Sequence, residues 1–529
     1  MPGRVVESVV FVTLIHLLVS AYRWFPGPLV AHAVAPRPEL VVFLAITFAA
    51  SFASNPVRKA ARWFTALSLA ALAFFSVGEA FYQSVYREGF VPVSDLAYFP
   101  ALLNMVLETE LFAWTVSMTV LYCIVGAAVV LPVVVGLRRL TEVFRRYRRG
   151  GSIVLGLLAV VALAGAMRDA SPPLSVRLVS SFSIAQPEET TELTREYASV
   201  GLGRSDLHLI IVESYGRVLY RRDELRSAIE PRLRATESAL EEAGFVAYSS
   251  FLESPAFGGR SWLADATLLT GLWIDSQAKY DGLLQSKPRN LTHILGDAGF
   301  ARVFAAPGTY SAGDDWRAVY RYDHYLFRGD FGYEGPVIGF GELPDQYLLH
   351  ATRRFAGSLL PPVFFTYVLV SSHVPFDRIP PYLTDWDQLG DGSVYRRLPN
   401  TEFDSSWVAG SQHSAGYVAA MDYVLRTVSD YITEQVDDES LFIVVGDHQP
   451  RSPVTTAADG FAVPVHIVSK DSDHLSRLRE FGFRVGFVPD QAPPHPSMDE
   501  FPRMVLSVLE GRADESPAYD VSRRKTTKR

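Results

Sequence analysis

Apolar positions are spread unevenly along this chain. Five long apolar runs fall before residue 170, at roughly 5–24, 39–56, 63–82, 111–136 and 152–167. About 20 apolar residues in helical form cross the ~30 Å hydrocarbon layer of a bilayer. The second and fifth runs are shorter but still plausible spans. The pattern predicts a membrane domain of five transmembrane helices over residues 1–168. The first run, ending in "LLVSA", also reads as a cleaved leader. Four further runs follow, however, and none of them needs a leader.

Charge between the runs sets an orientation. Arg58, Lys59 and Arg62 follow the second run, and Arg138, Arg139, Arg145, Arg146, Arg148 and Arg149 follow the fourth. The 83–110 loop carries only Arg87 against several acids. Basic loops stay in the cytoplasm, so everything after residue 168 is expected to be extracytoplasmic. Two polar residues in or near the spans, His16 and Glu79, are candidates, since an ionisable group there is a functional hypothesis. His16 is expected to pack between helices. Glu79, near the outer end of the third run, is expected to face solvent or headgroups.

The pattern changes after residue 205. Residues 169–205, with Pro172-Pro173 and a serine cluster, read as a juxtamembrane linker in which "PEETTELTREY" is a short surface helix. Short apolar runs then alternate with helical spacing: "LHLIIV", "LRSAIEPRLRATESALEEAG", "FVAYSSF", "PPVFFTYVLV", "SAGYVAAMDYVLRTVSDYITEQV", "LFIVVG" and "FAVPVHIVS". This predicts an α/β domain over 206–514, with a mostly parallel sheet flanked by helices. Such sheets bind ligands beyond the carboxyl ends of their strands. Residues 515–529 form a basic tail.

Composition narrows the function. The chain has 529 residues, 49% of them hydrophobic, and a net charge of −8. That balance argues against broad nucleic-acid binding. The one cysteine, Cys123, excludes internal disulfides and cysteine-ligated zinc.

Chemistry-bearing residues recur at strand tips. "LHLIIV" ends at Glu213, "FTYVLVSS" at His373, and "LFIVVG" at Asp447 and His448. Each has an ordinary reading as a solvated turn. Together, carboxylates and imidazole at one sheet edge suit Mn²⁺, Zn²⁺ or Mg²⁺. Ser261 follows Gly258-Gly259 and opens the predicted helix "SWLADATLLTG". It reads as an N-cap or, beside a divalent ion that lowers its hydroxyl pKa, as a nucleophile.

The motifs "IIVESYGR", "GGRSWLADATLLTG", "SSHVPF" and "VVGDHQP", in that order behind five spans, resemble the sulfatase-like branch of the alkaline phosphatase superfamily. Within it, the chain resembles the lipoteichoic acid synthase and phosphoglycerol transferase group. The resemblance implies one divalent metal, Mn²⁺ first, held by Glu213, Ser261, Asp447 and His448. It implies Ser261 as nucleophile and His373 on the substrate side, with Trp316 and Arg317 contacting phosphate and glycerol. It also implies a bacterial inner-membrane enzyme that moves a phosphoglycerol-type headgroup from a phospholipid donor to a glycan or glycolipid. Phosphoethanolamine transferases and metal-dependent phosphodiesterases are the alternatives. Ser261 stands where the group usually has threonine, which keeps the hydroxyl but drops the stiff β-branched rotamer. The lone cysteine falls outside these motifs, which argues against sulfate ester hydrolysis by a cysteine-derived formylglycine.

Overall fold

The computed structural model describes residues 2–19, 38–86, 130, 132–168, 205–308, 313–360, 362–403, 410–436, 440–492 and 495–509. The chain divides into two compact units, Met1–Ile184 and Ala185–Arg529.

The N-terminal unit is helical, with α1 (Pro2–Val19), α2 (Pro38–Ser51), α3 (Asn55–Val85), α4 (132–146) and α5 (Arg148–Arg168). Pro56 sits in the first turn of α3, where its missing N–H costs nothing. Ile15, Leu44, Leu69, Phe75, Leu137 and Phe144 share one buried cluster. Arg139 of α4 pairs with Glu7 of α1 at 2.7 Å. Among the described residues one helix, Asn55–Glu79, is long and apolar enough to cross a membrane; Val5–His16 and Pro38–Ser51 are shorter apolar helices. Most of the expected fourth span lies outside the described residues, as do nearly all of the expected linker and the basic tail. Glu79 differs from its expected solvated setting. It is buried, and Gln83 Nε2 donates to it at 3.3 Å.

The C-terminal unit is an α/β fold. Its strands are β1 (Leu207–Val212), β2 (Val246–Glu253), β3 (Ala301–Ala306), β4 (His324–Phe327), β5 (Val363–Leu369), β6 (Leu441–Gly446), β7 (Ala462–Ser469) and β8 (Arg484–Val485). They form one eight-stranded sheet in the order β8-β2-β7-β6-β1-β5-β3-β4. From β6 to β4 the pairs are parallel, whereas β8-β2, β2-β7 and β7-β6 are antiparallel. The sheet is therefore mixed, with four of its seven strand pairs parallel as expected and an antiparallel end formed by β7, β2 and β8. β7 follows β6 without a crossover helix, and that connection returns the strand in the opposite direction.

Helices cover both faces. The main ones are α6 (Asp223–Glu242), α7 (Ser261–Thr270), α8 (Gln277–Ser286), α9 (Asp314–Tyr320), α10 (Asp345–Ala356), α11 (Gly410–Asp430) and α12 (Phe501–Leu509). α6 buries Leu225, Ile229, Leu233, Thr236 and Leu240, a stripe at helical spacing. Residues of β1 alternate between two cores. Ile210 and Val212 pack with α6 and α11, while Leu207, Leu209 and Ile211 pack with α7 and α12. Burial on both sides explains why β1 reads as a continuous apolar run.

Candidate metal and nucleophile site

The site is built by register. Val212 lies opposite Gly446 on one side and opposite Leu369 on the other. Each strand's next residues therefore emerge at one edge: Glu213 from β1, Asp447 and His448 from β6, and the 370–373 turn from β5. The ladder runs one step further, with Glu213 N donating to Leu369 O at 3.1 Å and Asp447 N to Val212 O at 3.4 Å. Gly446 is required by close approach, since a Cβ there would fall on the Tyr215 carbonyl oxygen.

Glu213, Asp447 and His448 are all buried, and one ligand atom from each lies within 4.8 Å of the others. His448 Nε2 stands 3.3 Å from Glu213 Oε1 and 3.5 Å from Asp447 Oδ2. The other ring nitrogen, Nδ1, donates to the Gln449 carbonyl at 2.9 Å. That bond fixes the ring and leaves Nε2 toward the carboxylates, the arrangement a metal-binding imidazole uses. Asp447 Oδ1 accepts from Ser214 N at 2.8 Å and from His448 N at 2.6 Å. Ser214 Oγ donates to Glu213 Oε1 at 2.9 Å. Ser254 Oγ and Ser372 Oγ each donate, at 2.6 Å, to the backbone carbonyls of Asp447 and Glu213.

Ser261 completes the group. Its Oγ donates to Glu213 Oε2 at 2.9 Å and lies 3.3 Å from His448 Nε2. It is the first residue of α7, reached through a turn in which Gly258, Gly259 and Arg260 all have positive φ, at 67°, 142° and 63°. Arg260 pays for a left-handed conformation there, as backbones do where a side chain must be presented sharply. Gly258 N donates to Gln449 O at 3.0 Å and ties this turn to the Asp447-His448 turn. Ser261 makes no side-chain cap; its hydroxyl points to the carboxylate instead.

The electrostatics call for a cation. Burial raises the Asp447 carboxyl to about 7, and the Glu213 charge adds to that. Burial works against the charge on His448, yet Asp447 and Glu213 lift its imidazole to about 10. Burial also opposes ionisation of Glu213, but the charges of His448 and His373 and the hydrogen bonds from His448 and Ser214 hold its carboxyl below the usual range. Two buried carboxylates are stable only with a positive partner. Two carboxylates, one oriented imidazole and one hydroxyl suit a divalent ion with oxygen and nitrogen ligands.

His373 sits at the rim. Its Nδ1 donates to Val374 O at 2.6 Å, and its ring stacks on Phe340 at 3.8 Å. Burial lowers its pKa, while the nearby Glu213 charge opposes that shift. Trp316 of α9 lines a cavity beside α7 together with Trp262 and Asp265. Arg317 does not line it; its guanidinium lies 4.2 Å from the centre of the Tyr325 ring. Ser214, Ser254, Ser372 and Asp265 are not among the residues the sequence motifs point to. Ser214 and Ser372 adjoin Glu213 and His373, and Asp265 falls four residues after Ser261, on the same helix face.

Residues 259–480 match the protein family described as Sulfatase. Residues 259–480 therefore carry a sulfatase-type domain. No curated protein sequence matches it. Among solved structures, the lipoteichoic acid synthase LtaP from Listeria monocytogenes is 16% identical with a TM-score of 0.40, the match covering 62% of this chain and 80% of that one. The integral membrane lipooligosaccharide phosphoethanolamine transferase A from Neisseria meningitidis is 13% identical with a TM-score of 0.46, covering 95% of each chain. The phosphoglycerol transferase GacH from Streptococcus pyogenes is 13% identical with a TM-score of 0.36, covering 60% of this chain and 89% of that one. The sulfatase-like domain takes in Ser261, His373, Asp447 and His448, while Glu213 joins them from β1, before the matched residues.

Proposed function

We propose that this chain is a membrane-anchored, metal-dependent phosphotransferase that works through a covalent Ser261 intermediate. The observation that carries the reading is the Ser261 hydroxyl, 2.9 Å from Glu213 and 3.3 Å from His448, raised on a left-handed turn above two buried carboxylates. Glu213, Asp447, His448 and the Ser261 oxygen would hold one divalent ion, Mn²⁺ first and Zn²⁺ or Mg²⁺ as substitutes. When bound, that ion supplies Lewis acidity that lowers the hydroxyl pKa and neutralises charge on phosphate oxygens.

The chain's own residues do the rest. Ser261 Oγ attacks the phosphorus of a phospholipid headgroup, forming the Oγ–P bond while the bond from phosphorus to the diacylglycerol oxygen breaks. The Ser261 proton passes to His373, which gives it to the departing diacylglycerol oxygen. His373, with Nδ1 committed to Val374 O, has Nε2 for that transfer. In the second step an acceptor hydroxyl on a glycan or glycolipid attacks phosphorus. The Oγ–P bond breaks, and the acceptor's proton returns to Ser261. The headgroup is of the phosphoglycerol type. The apolar N-terminal runs are read as five spans of a bacterial inner membrane, which keep an extracytoplasmic site beside its lipid donor.

Mass spectrometry of the full-length protein tests this after incubation with Mn²⁺ and vesicles of phosphatidylglycerol. A phosphoglycerol adduct on the Ser261 peptide is expected. An adduct only with phosphatidylethanolamine would replace the headgroup assignment. Release of glycerol phosphate to water, with or without a glycan, would make the enzyme a hydrolase.

A further inference from the structure

Along α7, from Trp262 to Leu269 and against β1, β3 and β5, lies a cavity of about 220 Å³, lined among others by Trp262, Asp265, Tyr280, Phe304, Trp316 and Tyr320. Among the described residues, no lysine, arginine or histidine lines it. Its walls are aromatic and aliphatic, and among the described residues Asp265 supplies its one carboxylate. Asp265 follows Ser261 by one helical turn, so the two share a helix face. It is also close enough to Asp447 and Glu213 to feel the charge of both. Asp265 Oδ1 is shielded from solvent and has no hydrogen-bond partner. A protein interior rarely leaves such an oxygen unpaired, because it loses its bonds to water and gains none in return.

A phosphate attacked by Ser261 has its transferred headgroup on one side and the departing lipid on the other. A cavity that runs along the nucleophile's helix suits the headgroup, and an unpaired acceptor within it suits a headgroup that carries a donor. We propose that Asp265 is a specificity-determining residue. It accepts a hydrogen bond from a donor two carbons from the phosphate, while the aromatic rings enclose the intervening carbons. The secondary hydroxyl of a phosphoglycerol group lies at that position, and so does the ammonium of an ethanolamine group. This inference rests on the headgroup-transfer reading above.

The test uses full-length protein in Mn²⁺-containing vesicles and follows adduct formation on Ser261 in a single turnover. The donors are phosphatidylglycerol, phosphatidylethanolamine and phosphatidylpropanol, the last having no distal donor. The wild type is expected to favour at least one of the first two over phosphatidylpropanol by about 3- to 10-fold, the net worth of one hydrogen bond. Which of the two reacts identifies the source of the donor. Asp265→Ala is expected to erase that preference with Mn²⁺ occupancy unchanged, and Asp265→Asn, which keeps an acceptor, to retain part of it. Unchanged discrimination in Asp265→Ala would overturn the proposal.

A binding arm keeps the inference separate from the transfer chemistry. Calorimetric titration of Ser261→Ala protein with glycerol phosphate, phosphoethanolamine and propyl phosphate requires no turnover. Tighter binding of a donor-bearing ester, lost in the Ser261→Ala, Asp265→Ala double variant, supports the role of Asp265 even if no adduct forms. Equal binding of all three esters overturns it, whatever the adduct experiment gives.

Discussion

Ser261 and Glu213 lie 48 positions apart in the chain, yet the Ser261 hydroxyl donates to Glu213 Oε2 at 2.9 Å. The contact joins the start of a helix to the tip of a central strand, and the glycine-rich turn before the helix makes the approach possible. If Ser261 is the nucleophile, Ser261→Ala should lower turnover by more than about 10³-fold, since losing a nucleophile is among the costliest single changes to an active site. Mn²⁺ should still bind, because Glu213, Asp447 and His448 remain. Ser261→Thr keeps the hydroxyl and should retain activity. Metal analysis after dialysis, alongside turnover of a phospholipid donor, separates the two roles. Near wild-type turnover in Ser261→Ala would remove Ser261 as nucleophile.

Asp447 offers the complementary test. Its Oδ1 is occupied by two backbone N–H groups, at 2.8 Å from Ser214 and 2.6 Å from His448, and its Oδ2 faces His448 Nε2 at 3.5 Å. Asp447→Ala removes a proposed ligand and also strands both N–H donors. Metal occupancy and turnover should fall together, with metal affinity down by at least about 10- to 100-fold, the loss typical of disturbing even an outer partner of a ligand. Full Mn²⁺ occupancy in that variant would mean that the ligand set is misassigned.

Much of this candidate site is legible in the sequence because its proposed ligands punctuate apolar runs. Glu213 ends six buried residues of β1, and Asp447 and His448 end six of β6. A buried strand followed at once by a charged side chain needs a reason, and register supplies it. The direction of β7 was not legible, because an apolar run looks the same in parallel and antiparallel pairs. Arg317 has the right residue type for phosphate, and its guanidinium lies over the Tyr325 ring. Asp265 hid inside a helix, where an acid is ordinarily taken for a solvated face; only the cavity gives it meaning.

Asp345 positions the turn that carries His373. This buried carboxylate accepts from Val370 N at 2.8 Å and from Ser371 N at 3.1 and 3.0 Å, and its own N–H donates to Ser371 Oγ at 3.0 Å. Asp345→Ala would leave those two N–H groups unpaired and release the turn. Turnover is expected to drop by about 10- to 100-fold, the penalty for misplacing a reacting group by about 1 Å. Metal binding should stay intact, since no ligand is touched. Asp345→Asn keeps one acceptor and should recover part of the rate. Equal losses of metal and activity would instead point to general unfolding of the sheet edge.

His208 gives the C-terminal unit an acid-sensitive core. Its ring stacks between Phe365 at 4.7 Å and Phe442 at 4.8 Å, and its Nε2 has no hydrogen-bond partner. Burial pushes its pKa down to about 3 from the ordinary 6.5, and burial does the same to His466. The unfolded chain therefore takes up these protons below pH 6.5, while the folded chain refuses them until about pH 3. Their stabilising contribution is complete above pH 6.5 and is lost as pH falls toward 3, at about 1.4 kcal/mol per pH unit for each histidine. His208→Phe fills the same space between the two rings and cannot titrate. It should leave urea stability at pH 7 nearly unchanged or slightly raised, and between pH 6 and 4 it should lessen the loss by about 1.4 kcal/mol per unit. Identical pH slopes for the variant and the wild type would show that His208 is already protonated, or already exposed, in the folded protein.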